Sequence, residues 1–225
     1  AEYVYKAQAE GRGVYSFCMC PGGFVVPAST GPEETVVNGM SPANRGSRWA
    51  NSGLVVELHP EDIPATGIKV EDPASPLALM QWCEAFEHKS YLAANRSLRA
   101  PAQRMTDFVA RRHSSTLPSS SYTMGLTSSD LHEWMPDFIT RRLSAGFRAF
   151  DRTTRGFLTG EAQLIGVESR TSSPVRIPRD RMTYAHPVVA GLYPAGEGAG
   201  FAGGIVSAAI DGENAAQQIA LALGR

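Results

Sequence analysis

Seven glycines crowd residues 191–212, where the chain reads Gly191-Leu-Tyr-Pro-Ala-Gly-Glu-Gly-Ala-Gly-Phe-Ala-Gly-Gly-Ile-Val-Ser-Ala-Ala-Ile-Asp-Gly212. Short apolar residues, then clustered glycines, then a helical apolar pattern describe a strand turning into a helix whose amide end can meet a ligand. Gly198, Gly200 and Gly203 spell G-x-G-x-x-G. A dinucleotide-binding βαβ unit, however, needs a second strand and an acidic residue about 20 positions further on. The sequence stops at Arg225, so the expectation is an element that closes a site built mostly elsewhere.

In such an element the amides of Gly203, Gly204 and Ile205 fall in the first helical turn, free to donate to an anion or a carbonyl oxygen. Glu197 stands just before them, where a carboxylate can accept from a sugar or polyol hydroxyl. The plainer alternative is that the glycines only allow tight packing of helix on strand.

With 21 basic and 22 acidic residues and a net charge of −1, the chain carries no electrostatic signature of a nucleic-acid or anionic-membrane partner. No apolar run approaches the roughly 18 residues of a membrane span, and no basic segment precedes a signal-like apolar stretch. A cytoplasmic location is expected. Cys18, Cys20 and Cys83 are too few and odd in number for a disulfide framework and fit a reducing compartment. Cys18 and Cys20 form a C-x-C whose side chains are expected on opposite sides of a strand, giving neither a zinc site nor an easy disulfide. No two of the five histidines stand at ligand spacing, so no metal centre is expected. The first residue is Ala1 and a strand-like Tyr3-Val-Tyr-Lys follows at once, which reads as a processed or excised piece of something longer, or as removal of an initiator Met or tag.

Four stretches differ in character. Residues 1–75 read as a β-rich portion: Val14–Cys18 and Phe24–Val26 are strand candidates around the turn Pro21-Gly22-Gly23, and Leu54–Leu58 is another. Between them lies a polar loop, Asn38–Gly53, long enough to suggest function. Residues 76–152 read as a helical insert. Ser75 caps one helix with Pro76 in first position, Pro101 opens a second carrying Met105, Phe108 and Val109, Ser128 caps a short turn with Leu131 and Met135, and Pro136 starts a helix with Ile139, Leu143, Phe147 and Phe150. Returning strands are expected in 153–188, with Gln163–Arg170 leading to Thr171–Pro178. Residues 189–225 form the terminal strand-helix, its last helix from about Gly203 to Leu223. There Ile205, Ala209, Ala216, Ile219 and Leu223 make one apolar stripe, while Asp211, Glu213 and Gln217 face outward.

Four motifs in one order bring a family into view: Ser16-Phe-Cys-Met-Cys-Pro-Gly-Gly-Phe-Val-Val-Pro-Ala28; Val37-Asn-Gly-Met-Ser with Arg45 and Ala50-Asn-Ser-Gly; Gly166-Val-Glu-Ser-Arg-Thr-Ser-Ser-Pro-Val-Arg-Ile-Pro-Arg-Asp180; and the terminal Gly191–Ile205. Together they resemble the C-terminal half of bacterial FAD-dependent dehydrogenases, also named NAD(P)/FAD-dependent oxidoreductases, which are similar to the larger glutathione-reductase-like flavoproteins. The resemblance implies FAD as cofactor, with NAD(P) as the second candidate, and an N-terminal Gly-rich βαβ unit that cradles the pyrophosphate. This sequence holds no such unit. The resemblance places Gly196, Glu197 and Gly198 toward the ribityl chain and pyrophosphate, although many such flavoproteins carry Asp where this chain has Glu197. It places the amides of Gly203, Gly204 and Ile205 at the flavin N1/C2 edge, where a helix dipole favours the reduced anion.

The remaining candidates are individual side chains. Arg170 with Thr171, Ser172 and Ser173 suits an acidic or carbonyl substrate, against the alternative that the hydroxyls satisfy the turn before Pro174. Arg45 and Arg48 could contact a carboxylate or phosphate, and Asn51 joins Arg45 as a substrate-binding candidate. Cys18 and Cys20 invite a thiol-flavin redox role, against the ordinary behaviour of buried cysteine as a small hydrophobe. His186 is a candidate proton donor, or a strand-end cap. Trp82 and Trp134 could line a substrate channel under a helical cap. The expected fold is therefore α+β: a β-rich substrate-domain portion, a helical insert, and a C-terminal strand-helix of an FAD-binding domain whose N-terminal part is absent. The expected function is flavin-dependent hydride transfer to or from a small molecule, with the isolated fragment inactive and binding FAD weakly or not at all. A flavin-dependent tRNA-modifying enzyme and a non-enzymatic binding module are the two rivals.

Overall fold

Two compact units make up the chain, one formed by the residues up to Pro73 with Gln81–Ser169, the other by Ala74–Met80 with the residues from Arg170 onward. The computed structural model describes residues 5–224. Helices and strands mix in the α+β manner.

In the first unit a hairpin starts the fold. Strands β1 (Tyr5–Ala9) and β2 (Arg12–Pro21) are antiparallel with Ala9 opposite Arg12. The two-residue loop between them, Glu10-Gly11, has φ of 48° and 75°, both positive as a twist-matched type I′ turn requires. Strand β5 (Ala50–Val56) pairs antiparallel along the other edge of β2, giving the order β1-β2-β5. A separate hairpin joins β3 (Phe24–Pro27) to β4 (Val37–Met40). The polar loop expected over Asn38–Gly53 is thus shorter, because both its ends are drawn into strands.

Helix α5 (Asp137–Thr153) covers the three-stranded sheet. Pro136 precedes it as expected, and Phe138, Leu143, Gly146, Phe147 and Phe150 form its buried face. At Gly146 an added Cβ would lie 2.5 Å from Val14 Cγ1, so only glycine lets the helix backbone come this close to β2. Around that approach Ala9, Val14, Leu143, Phe147 and Phe150 pack with Met105, Phe108 and Leu131 into one core.

The helical insert also contains strands. Pro101 does not open a helix: it lies in β6 (Ala100–Arg104), and α3 (Met105–Ala110) begins only after it. Strand β6 pairs parallel with β7 (Leu126–Ser128) and antiparallel with β8 (Gln163–Ile165). The β8 register begins at Ala102, so the missing Pro101 N–H removes no ladder bond, while its carbonyl accepts the Gly166 N–H at 2.9 Å. Strand β8 itself stops at Ile165, short of the Arg170 that its sequence suggests. Of the remaining helices in this region, α1 (Ile63–Thr66) and α4 (Leu131–Trp134) are single turns, and α2 (Ala78–Ala93) starts two residues past Pro76, with Ser75 supplying its hydroxyl to the Leu77 N–H.

In the second unit the long element is α6 (Ile205–Ala222), N-capped by Gly204. Two expectations fail here. No strand precedes the glycines among the described residues, because Gly191, Gly196 and Gly200 take positive φ and Pro194 lacks an N–H, so the segment runs as successive turns. The expected apolar stripe is largely exposed, and of the three residues expected to face outward Glu213 and Gln217 do so but Asp211 does not. Asp211 and Ala215 are buried, whereas Ile205 is 91% exposed and Leu223 67% exposed, because the Asp211 carboxylate has partners inside the unit and fixes which face turns inward.

Phe147, fully buried and in ring contact with Phe108 and Phe157, should be the most costly single truncation in the first unit. Phe147→Ala is expected to lower stability by about 3–5 kcal/mol, read as a drop in urea midpoint with unchanged slope.

Candidate functional site

Arg179 organises the second unit. Its guanidinium makes a two-pronged pair with Asp211, Nη2 to Oδ1 at 2.6 Å and Nη1 to Oδ2 at 2.9 Å, and Nη1 also donates to the Pro194 carbonyl at 2.8 Å. The plane is held between rings, 4.0 Å from Tyr184 and 3.6 Å from Phe201. Asp211 Oδ2 takes a further bond from the Gly196 N–H at 2.8 Å. One carboxylate thus ties α6, the 179 segment and the first residue of the glycine cluster together. Arg179 and the Gly196 amide hold the Asp211 carboxyl below its ordinary range, against the opposing effect of burial.

The glycines behind this anchor divide into two kinds. Gly196 and Gly200 have φ of +75° and +82°, and a Cβ on Gly200 would meet the Val175 carbonyl oxygen at 2.7 Å. Those two are required by the local backbone. Gly198 and Gly203 are not: neither takes positive φ, and a Cβ built on either has nothing within 4 Å. Tight helix-strand packing therefore does not account for them. Beyond Gly204 the ladder of α6 begins with the Ala208 N–H on the Gly204 carbonyl, so the amides with no acceptor inside the helix are those of Ile205, Val206 and Ser207, two positions later than expected. Ile205 and Val206 are 91% and 72% exposed, which leaves this helix end open. Open glycines beside unpaired amides suit the close approach of an anionic or carbonyl-bearing group.

Of the other candidates in this unit, Ser173 lies against the cluster, its Oγ within 2.8 Å of the Val175 carbonyl and 3.1 Å of the Gly198 carbonyl. Ser172 and Arg170 are exposed, and Glu197 is half-buried. His186 Nδ1 accepts from the Val188 and Val189 amides at 3.1 and 3.0 Å. Nδ1 is thus an acceptor, the proton of the neutral ring sits on Nε2, and the ring caps a turn.

The first unit gathers the rest. The register of β2 on β5 jumps between Phe17 and Cys20, with Phe17 opposite Gly53 and Cys20 opposite Asn51. Residues two apart on a regular strand share a face, so the pleat alone would have put Cys18 and Cys20 together. The bulge separates them: Cys18, with φ of 48°, is exposed, and Cys20 is buried with its Sγ toward the Cys18 carbonyl at 3.2 Å. Burial and the Glu168 carboxylate push the Cys20 thiol up, with Arg45 opposing them, which disfavours the thiolate that a redox or nucleophilic role needs. Asn51 sits beside Cys20, both its side-chain polar atoms buried without a hydrogen-bond partner. Glu168, quoted above only within a motif, lies over Gly53, and burial raises its carboxyl to about 6. Arg45 is exposed on the loop that follows β4.

Arg179, Asp211 and Glu168 were not among the site candidates read from the sequence, where Asp211 was expected only to face outward. Asp211 carried a signal, since the acid that ends the apolar run Ile205–Ile210 must either face water or find a buried cation. Glu168 carried none. Among the described residues no group of three or more His, Cys, Asp or Glu could hold a metal, and no helix is long and apolar enough to cross a membrane.

Comparison with known families matches residues 1–171 to the family described as FAD-dependent protein, C-terminal domain-like. The match ends within two residues of the point where the second unit resumes at Arg170. An uncharacterised protein of Clostridium beijerinckii is 42% identical over 218 residues, 96% of this chain and 39% of that relative. The chain thus spans about two-fifths of the relative's length.

Breaking the buried pair tests the anchor. Arg179→Ala leaves Asp211 without its partner and is expected to cost about 3–5 kcal/mol. Because the Asp211 carboxyl is lowered in the folded chain, its contribution is complete above the ordinary aspartate value near 4 and is lost as pH falls through the lower folded value. Asp211→Asn should therefore reduce stability at pH 6 and flatten its decline between about pH 5 and pH 2, measured by thermal melts.

Proposed function

We propose a function from one premise: the chain belongs to the FAD-dependent protein, C-terminal domain-like family. In this reading it is part of a flavin-dependent oxidoreductase, a dehydrogenase acting on a small molecule. The open glycines beside an unpaired helix end carry the reading. Gly198 and Gly203 have no neighbour within the chain that requires glycine, and they flank the free amides of Ile205, Val206 and Ser207.

These residues fit FAD by the chemistry of their donors. Gly196, Glu197 and Gly198 would approach the ribityl chain and pyrophosphate, with the Glu197 carboxylate accepting from hydroxyls. The amides from Gly203 through Ser207 would face the N1/C2 edge of the ring. Bound flavin supplies hydride transfer through N5. The protein's share is to orient the ring, to hold the glycine turns in place through Arg179 and Asp211, and to offer a positive helix end where negative charge develops. Arg45, Asn51, Ser172 and Ser173 are the substrate-side candidates.

The outward face of α6 adds a second support. A helix that is apolar on both faces belongs between two layers, and Ile205, Val206, Ile210 and Leu221 are all more than half exposed. We assign their cover to the nucleotide-binding portion of the longer protein, which in this reading supplies the site for the adenosine half of FAD.

Gly203→Val introduces a side chain that meets nothing in the chain itself. In the longer protein it should leave the melting temperature of the flavin-free form within about 2 °C of wild type, by the small effects of open surface positions, while flavin content falls at least tenfold by absorbance. Equal flavin content would sink the assignment. The 225-residue chain alone is expected to show no stoichiometric yellow flavin after incubation with FAD.

A further inference from the structure

On the first unit two polar side chains, Asn51 and Glu168, border one stretch of β5 with their hydrogen bonds unmade. Asn51 and Gly53 are two residues apart on β5 and share a face. The bulge in β2 brings Phe17 opposite Gly53 and Cys20 opposite Asn51, so both of those residues, which a regular pleat would send to opposite faces, border the same patch. The space a Gly53 side chain would fill is taken by Glu168, whose Oε2 lies 2.6 Å from the Cβ position, with the Phe17 ring at the same distance. The Asn51 amide reaches over Gly39 of β4 in the same manner, its Oδ1 2.0 Å from that Cβ position. Two glycines thus hold back their side chains so that a carboxyl and an amide can lie flat on the strands.

Neither group is satisfied. Both polar atoms of the Asn51 side chain are buried without a partner, and among the described residues nothing donates a hydrogen bond to Glu168 or pairs with it. Burial disfavours the charged carboxylate, and desolvation alone accounts for its raised value. Cys20 closes the wall with its Sγ turned to the Cys18 carbonyl. A buried amide left with neither donors nor acceptors filled is destabilising, a loss that a ligand with matching edges recovers.

We propose that Asn51 and Glu168 form a subsite for the amide edge of a small neutral ligand, such as a carboxamide, lactam or ureide. A neutral carboxyl presents one O–H donor and one C=O acceptor side by side, and the Asn51 side chain presents the same pair. In a group that offers an N–H next to a C=O, the carbonyl with its two lone pairs can accept from both side chains while the N–H donates to one of them. An anion would meet Glu168 unfavourably once ionised, and Phe17 and Cys20 beside it are apolar. This inference does not depend on flavin, since the subsite lies wholly within the first unit.

The test uses the 225-residue chain with 2-pyrrolidinone as probe and N-methyl-2-pyrrolidinone, which lacks the N–H, as its control. Chemical-shift titration at pH 5.5 should move the Asn51 side-chain amide and the Glu168 carboxyl resonances, with the control at least tenfold weaker. Affinity should fall as pH rises through about 6, because the ionised carboxylate loses its donor. Glu168→Gln keeps a donor beside an acceptor and should bind at all pH values alike, whereas Asn51→Ala should lose binding at least tenfold with its melting transition retained. Equal binding of the two probes, binding that ignores pH in the wild type, or no shift at either residue up to saturating probe would each overturn the proposal. Flavin content of the longer protein with Glu168→Gln, expected unchanged, keeps this outcome separate from the cofactor assignment.

Discussion

The second unit is held by a single guanidinium. Apart from α6 and the first residues of α2 it is built of turns and irregular backbone, which bury little apolar surface, so the placement of its glycines depends on the contacts of Arg179. Removing a charged pair from water is expensive, and it is offset only when the geometry is good and the remaining donors are filled. Here it is good: the planar fork matches the Asp211 carboxylate, one arm reaches the Pro194 carbonyl, and the faces lie against Tyr184 and Phe201. Lysine could supply the charge but not the fork or the stacking. The bond from Gly196 to Asp211 then carries this order to the start of the glycine cluster.

The first unit rests on a different device, close approach. Gly146 lets α5 meet β2 at Val14, and Gly53 and Gly39 let side chains from elsewhere lie on strand backbone. The bulge in β2 works with these glycines. One extra residue is taken up there, Cys18 and Met19 standing against Ser52 alone, and the side chains on either side of them end on one face. A patch bordered by Phe17, Cys20, Asn51 and Glu168 exists only because that strand is irregular.

How much of this was legible depended on which force set the local structure. Helix α5 was readable because its apolar residues recur at helical spacing and one face meets a core. The same rule misled for α6, where apolar residues occupy both faces and periodicity cannot say which turns inward. The side that packs was chosen by Asp211, a residue that pattern reading sends to solvent. Pro101 misled for a related reason. It is a strong helix opener in isolation, yet in β6 the hydrogen bond it cannot make is one the sheet does not use. The bulge left a trace in Cys18-Met-Cys20, but its effect on facing required the register. Glu168 left none, since a carboxylate looks the same in sequence whether solvated or pressed against glycine.

The glycine cluster acquires its meaning by subtraction. A glycine is explained from within when its φ is positive or when a backbone atom stands where Cβ would go, as at Gly196 and Gly200. Gly198 and Gly203 meet neither condition, and a glycine in an ordinary conformation with open space beside it is destabilising relative to alanine through the freedom it gives the unfolded chain. Selection for folding alone would fill such positions. What they leave clear is the approach to an unpaired helix end, flanked by exposed Ile205 and Val206, on a helix whose inner face is pinned by Asp211. An approach kept open at the expense of local stability, on a rigidly held turn, is the arrangement a pre-organised binding edge requires.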